Sequence, residues 1–174
     1  YHPDLEVELV HQVRRAVGSA VAIRMDVNGV WSRSTAVRAL KKLEDCDLEY
    51  LEDPLQTGYE LHDYEGMAAL RRRVQTPLAV DGNYRIRNLV EVIRYDCADV
   101  ILGDYYGCNG ARGAQQFYYM ARSFDLALSM HSGYDLGLAT AARAHLAAAV
   151  PGLLHPIDMH YHQLSDDVLA GGML

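Results

Sequence analysis

The chain has almost no lysine. Its only two, Lys41 and Lys42, are adjacent, and 16 Lys+Arg against 23 Asp+Glu leave a formal net charge of −7. No basic stripe and no aromatic-interleaved cationic cluster remains to grip a phosphate backbone, so nucleic acid is not the expected partner. No apolar run approaches the roughly 20 residues of a membrane-crossing helix, and no signal peptide opens the chain, so no membrane partner is expected either. Cysteine is also scarce: Cys46, Cys97 and Cys108 are odd in number and lack CxxC spacing. That usage suits a reducing cytoplasm, the expected location, better than a disulfide framework. Neither GxxxxGK[ST] nor a helix-opening GxGxxG occurs, and the glycines of LGDYYGCNGARG read as a turn around Gly107 and Gly110. There is no low-complexity linker.

What is present is a rhythm. Asp26, Glu52, Asp81, Asp104 and His131 each close a short apolar run, at intervals of 26, 29, 23 and 27 residues. One strand, one helix and two short loops take about that many residues, so the pattern reads as successive βα units of a parallel barrel or sheet. The runs are Ala20 to Asp26, Leu48 to Asp53, Thr76 to Asp81, Ala98 to Asp104 and Asp125 to His131. Their Val, Ile and Leu content suits strands buried on both faces. Ser34 to Leu43, Arg87 to Arg94, Ala111 to Phe124 and Leu138 to Val150 space their apolar residues three or four apart, as helices do. Residues 1–17 read as a further helix. At 174 residues with 50% apolar composition the chain can bury a core. It falls short of the roughly 250 residues of a complete eightfold barrel. The expectation is an α/β chain of five to six βα units, an incomplete parallel (β/α) barrel that is one segment of a larger protein.

In such a barrel the carboxyl ends of all strands open on one face. Three carboxylates brought together there, from Asp26, Glu52 and Asp81, would repel one another unless a cation sat among them. Hard oxygen donors with room for water and substrate describe a Mg²⁺ site, whereas Zn²⁺ would more often recruit His or Cys. Taken singly, each acid reads equally as a solvated loop residue or a helix cap. Asp104 and His131 suggest a carboxylate-oriented imidazole able to move a proton near neutral pH. His160 and His162, with Asp158, would share a face of a strand, but HxH alone is a weak zinc signal. Trp31 reads as a packing residue, and the Ala-rich stretch Ala139 to Ala149 as a tightly packed helix at a subunit contact.

The order DVNGVW, YLEDPL, TPLAVDGN, ILGDYYGCNG, LSMHSGYDLGLA and HPIDMHYHQ resembles the carboxyl-terminal barrel of the enolase superfamily, and within it the glucarate dehydratase branch. The likeness runs along nearly the whole chain. It implies Mg²⁺ held by Asp26, Glu52 and Asp81, a catalytic pair of Asp104 and His131, and substrate contacts from Asn28, Asn83, Ser132 and His160. The resemblance also brings the superfamily's chemistry, in which a Lys or His base works with Mg²⁺ that stabilises an enediolate. The implied activity is dehydration of an acid sugar such as an aldarate to a keto-deoxy acid, by a homo-oligomer. Two departures stand out. The branch looks to carry Asn where this chain has Asp81, and another Asn where it has Gly133. The Lys-x-Lys that such enzymes carry on an earlier strand, and their amino-terminal capping domain, are not in this sequence. A racemase or epimerase on the same scaffold, or a non-catalytic relative, are the alternatives.

Overall fold

The computed structural model describes residues 2–55, 63–81, 85–133, 135–153, 155–157 and 159–171. Helix α1 (Pro3–Val17) opens the chain, and its sequence specifies both ends. Pro3 occupies the first turn, where its missing N–H costs nothing, and Asp4 and Glu6 meet the positive end of the helix dipole. Arg14 and Arg15 meet the negative end, and Gly18, at φ 71°, takes the left-handed turn that stops the helix. Five βα units follow: β1 (Ile23–Asp26) with α2 (Arg33–Leu43), β2 (Leu48–Glu52) with α3 (Tyr64–Arg71), β3 (Leu78–Asp81) with α4 (Ile86–Tyr95), β4 (Val100–Gly103) with α5 (Ala111–Arg122), and β5 (Ala127–Met130) with α6 (Gly137–Ala149). The strands form one five-stranded sheet in the order β1-β2-β3-β4-β5.

Packing divides the chain into two compact units, Tyr1–Val80 with Glu91–Val100, and Asp81–Val90 with Ile101–Leu174. In the first unit β1 and β2 run parallel, with Asp26 opposite Glu52, and β2 runs parallel to β3, with Leu51 opposite Leu78. Leu40, Leu43, Leu51 and Leu78 are fully buried, and so is Trp31, whose Nε1 donates to Glu6 Oε2 at 2.9 Å. Trp31 therefore packs α1 down, in line with its expected packing role. Ser32 caps α2 by accepting from the Thr35 amide at 3.2 Å. Arg71 ties α3 to the segment before β4 through Asp96 and Asp99, and the second oxygen of Asp99 accepts from the Leu78 amide at 2.9 Å. In the second unit the His131 amide donates to Gly103 O at 3.0 Å, which extends the β4–β5 pairing to the very end of β5. Gly103 has a steric reason to lack a side chain: a Cβ there would lie 2.7 Å from the Tyr118 ring. The Tyr118 hydroxyl donates in turn to Ser129 O at 3.0 Å.

The strand and helix placements read from the sequence agree with these elements to within a few residues. Helix α3 carries no helical period in the sequence. Its eight residues include Gly66, and its apolar residues Met67, Ala68 and Leu70 crowd together instead of recurring at helical spacing. Its amino-terminal signal was present in Asp63, which accepts from the Gly66 amide at 3.0 Å. His160 and His162 do not lie on a strand: Tyr161–Gln163 is a 3₁₀ turn with His160 as its leading residue. Asn83 and Asp158 lie outside the described residues. All three cysteines are buried, and none is joined in a disulfide. Among the described residues no helix is long and apolar enough to cross a membrane.

Candidate metal and proton-transfer site

Each chemically interesting residue sits at the carboxyl end of its strand. Asp26, Glu52 and Asp81 are the last residues of β1, β2 and β3, while Asp104 and His131 come one residue after β4 and β5. In the first unit the backbone bends sharply just past two of these positions. Asn28 (φ 53°), Gly29 (φ 64°) and Asp53 (φ 39°) all occupy left-handed conformations, and the Gly29 amide donates to Asp53 O at 2.7 Å. Asn28 orients the Asp26 carboxylate from both sides. Its amide donates to Oδ1 at 2.7 Å and its side-chain nitrogen to Oδ2 at 2.8 Å. Left-handed backbone is costly for a residue with a Cβ, and it concentrates where a site fixes its geometry.

Glu52 is only 8% exposed and is the register partner of Asp26. Two carboxylates on paired positions, one of them buried, destabilise each other and favour a cation between strand ends. All-oxygen donors of this kind fit a hard divalent ion better than a soft one. Magnesium is therefore compatible with the residues present.

The second unit holds the imidazole. His131 Nδ1 lies 3.9 Å from Asp81 Oδ2, so a strand-end acid and the candidate proton carrier face one another. Ser132, the next residue, is buried, whereas His160 is partly buried and Asn28, in the first unit, is exposed. Asp104, expected to orient the His131 ring, meets Arg143. Asp104 is 5% exposed, and its carboxylate is engaged by the guanidinium of Arg143, itself 2% exposed, with Nη1 donating to Oδ1. The physical reason is burial: a carboxylate withdrawn from water needs a full counter-charge, and Arg143 supplies one. The same Nη1 donates to the His131 carbonyl at 2.7 Å, Nε donates to Asp135 Oδ2 at 2.6 Å, and the guanidinium stands 5.4 Å from the Tyr106 ring centre. Burial works against the Arg143 charge, but Asp104 and Asp135 outweigh it and hold the guanidinium above its ordinary range. Nearby, burial pushes the Cys108 thiol up to about 11, so it is no nucleophile at neutral pH.

The sequence profile described as Enolase C-terminal domain-like matches residues 2–174. The chain belongs to this enolase family. It is 35% identical over 97% of its length to a protein of Streptomyces coelicolor named "Probable glucarate dehydratase", of which it covers 38%. It is equally 35% identical, over 85% of its length, to an o-succinylbenzoate synthase of Thermobifida fusca, of which it covers 44%. The crystal structure of an enolase from Pseudomonas fluorescens, with bound magnesium, potassium and tartrate, superposes with a TM-score of 0.90 at 34% identity, covering 99% of this chain and 39% of that one. The chain thus spans about two fifths of the length of these relatives, and its five βα units are an incomplete α/β barrel segment of the enolase type.

Within this enolase-family segment, the sequence reading missed Arg143 and Asp135. The mark of Arg143 shows only once the buried face of α6 is known. Buried positions of α6 fall at Gly137, Thr140, Arg143 and Leu146, three residues apart, and the arginine stands in that stripe. A cation on the buried face of an alanine-rich helix requires acidic partners. Asp135 offered no comparable mark, since an Asp before a helix ordinarily reads as a cap.

Proposed function

We propose that this chain carries the metal-binding and proton-transfer residues of a Mg²⁺-dependent dehydratase acting on an acid sugar of the glucarate or aldarate kind. Support comes from the likeness to the Streptomyces coelicolor protein over 97% of the chain, and from the magnesium and tartrate, a hydroxylated diacid, in the Pseudomonas fluorescens relative. The observation that carries the proposal is the 3.9 Å approach of Asp81 to His131, which gives one strand-end acid and the imidazole a common locus.

Asp26, Glu52 and Asp81 would hold the cation through their carboxylate oxygens. When bound, it supplies compensation for the negative charge that develops on the substrate carboxylate as the neighbouring carbon loses its proton, a contribution of several kcal/mol in metal-assisted sites generally. His131 takes that proton at a ring nitrogen or, once protonated, delivers one to the β-hydroxyl leaving as water. The product is a keto-deoxy acid. Asn28, Asn83, Ser132 and His160 are assigned to hydrogen-bonding the substrate's carboxylate and hydroxyls, and the working form is a homo-oligomer. Asp26 would present its oxygens without rotamer loss, because Asn28 already fixes its orientation.

The o-succinylbenzoate synthase relative, at the same 35% identity, shows that family membership alone does not choose the reaction. The test is a panel of acid sugars incubated with the full-length protein and Mg²⁺, read both for keto-acid formation and for deuterium uptake at the α carbon in D₂O. Keto-acid formation is expected from at least one aldarate, and His131→Ala should slow it by about 10²–10⁴-fold, the range of general acid–base contributions. Full activity in His131→Ala would remove the proposed base. Deuterium uptake without dehydration would point to an epimerase.

A further inference from the structure

Arg143 is the most deeply buried charge among the described residues, with 2% of its side chain exposed. Three of its acceptors are distinct parts of the chain: the Asp104 carboxylate just past β4, the His131 carbonyl just past β5, and the Asp135 carboxylate in the turn leading into α6. A planar fork spreads its donors over separate nitrogens in a fixed geometry and so sets the relative positions of three such acceptors, whereas an ammonium has its three donors on one freely rotating nitrogen. The Tyr106 ring closes over the guanidinium at 5.4 Å. Because the His131 amide is also tied to Gly103 O, the backbone on both sides of the imidazole's Cα is held from the β4 side.

We propose that Arg143 is the positioning residue of His131: one guanidinium binds the end of β4 to the end of β5 and fixes where the imidazole stands. The inference rests on the reading of His131 as the proton-transfer group. Asp104, in this arrangement, acts on His131 through Arg143 and the shared backbone, and Asp135 restrains the far side of the fork. Misplacing a reacting group by an ångström is sufficient to lower a rate by about 100-fold.

Arg143→Lys separates positioning from simple charge compensation. Lysine keeps the cation that neutralises Asp104 and Asp135 but loses the fork. Full-length protein carrying Arg143→Lys is expected to fold with a wild-type circular dichroism spectrum, to lose kcat by about 100-fold on the acid sugar the wild type dehydrates, and to keep KM within a few-fold. Amide hydrogen exchange gives a readout independent of activity. The His131 amide should exchange faster in Arg143→Lys than in the wild type, while the Leu51 amide, which donates to Pro77 O in the other unit, should not change. Asp135→Asn, which leaves the Asp104 contact in place, should show the same pattern more weakly. A folded Arg143→Lys with wild-type kcat, or with unchanged His131 exchange, would overturn the proposal. If the wild type dehydrates no acid sugar, the dehydratase reading fails, and the exchange measurement still decides whether the clamp exists.

Discussion

At the scale of single residues, the chemistry depends on carboxylates whose surroundings favour a cation. Glu52 is buried and opposite Asp26, so replacing it with Gln removes the charge and keeps the shape. The expected outcome is loss of divalent-ion binding by calorimetry with little loss of fold, because the neutral amide relieves repulsion with Asp26. Cys97 offers a pH test. Burial pushes its thiol from 9.0 up to about 12. A group whose pKa is raised on folding stabilises the fold while it stays protonated in both states, so this contribution is complete below pH 9.0 and is lost as the pH climbs toward 12. Urea midpoints of the wild type and of Cys97→Ala should therefore converge between pH 8 and pH 10.5, the wild type losing more. A gap that stays constant would show that thiol ionisation plays no part. The acids and the histidine were legible in the sequence because each closes an apolar run; Arg143 was not, because a lone charge in a helix reads as surface until its face is known.

Elements show how much local chemistry places the site. Ser32→Ala deletes the cap of α2 directly after the Asp26–Asn28 turn, and thermal unfolding should report a loss of about 1 kcal/mol. Gly103→Ala would press a methyl into the Tyr118 ring at the end of β4, and overpacking of this kind costs about 1–3 kcal/mol. Activity should fall further than stability, because Gly103 O is the acceptor for the His131 amide. A Gly103→Ala protein as active as the wild type would show that this strand end tolerates displacement. The strands were readable because β4 is buried along its entire length, which forces a continuous apolar run. Helix α3 was hidden for the opposite reason: a short helix with Gly66 and clustered apolar residues carries no period. The turn at Tyr161–Gln163 defeated a strand reading of alternating histidines, since two matching positions cannot distinguish period two from accident.

For the whole molecule, the order of strand-end residues is the legible part, and five βα units recovered from five strand-end residues spaced 23 to 29 apart show why: in a parallel α/β fold the spacing itself is structural. Substrate choice was not legible, because relatives of equal identity carry different names and Asn83 lies outside the described residues. A cation bound only by the folded protein must stabilise it, by about 2.7 kcal/mol at a hundredfold excess over Kd. Mg²⁺ should thus raise the unfolding temperature of the full-length protein, and a chelator should reverse the rise. The most direct measurement is a calorimetric Mg²⁺ titration of the full-length wild type beside Asp26→Asn, Glu52→Gln and Asp81→Ala, with the exposed Glu65→Gln as control. One site per chain, lost in each of the first three variants and kept in the fourth, is the predicted result. Undiminished binding in Glu52→Gln, or in Asp81→Ala, would contradict the assignment of these strand ends to a common metal centre.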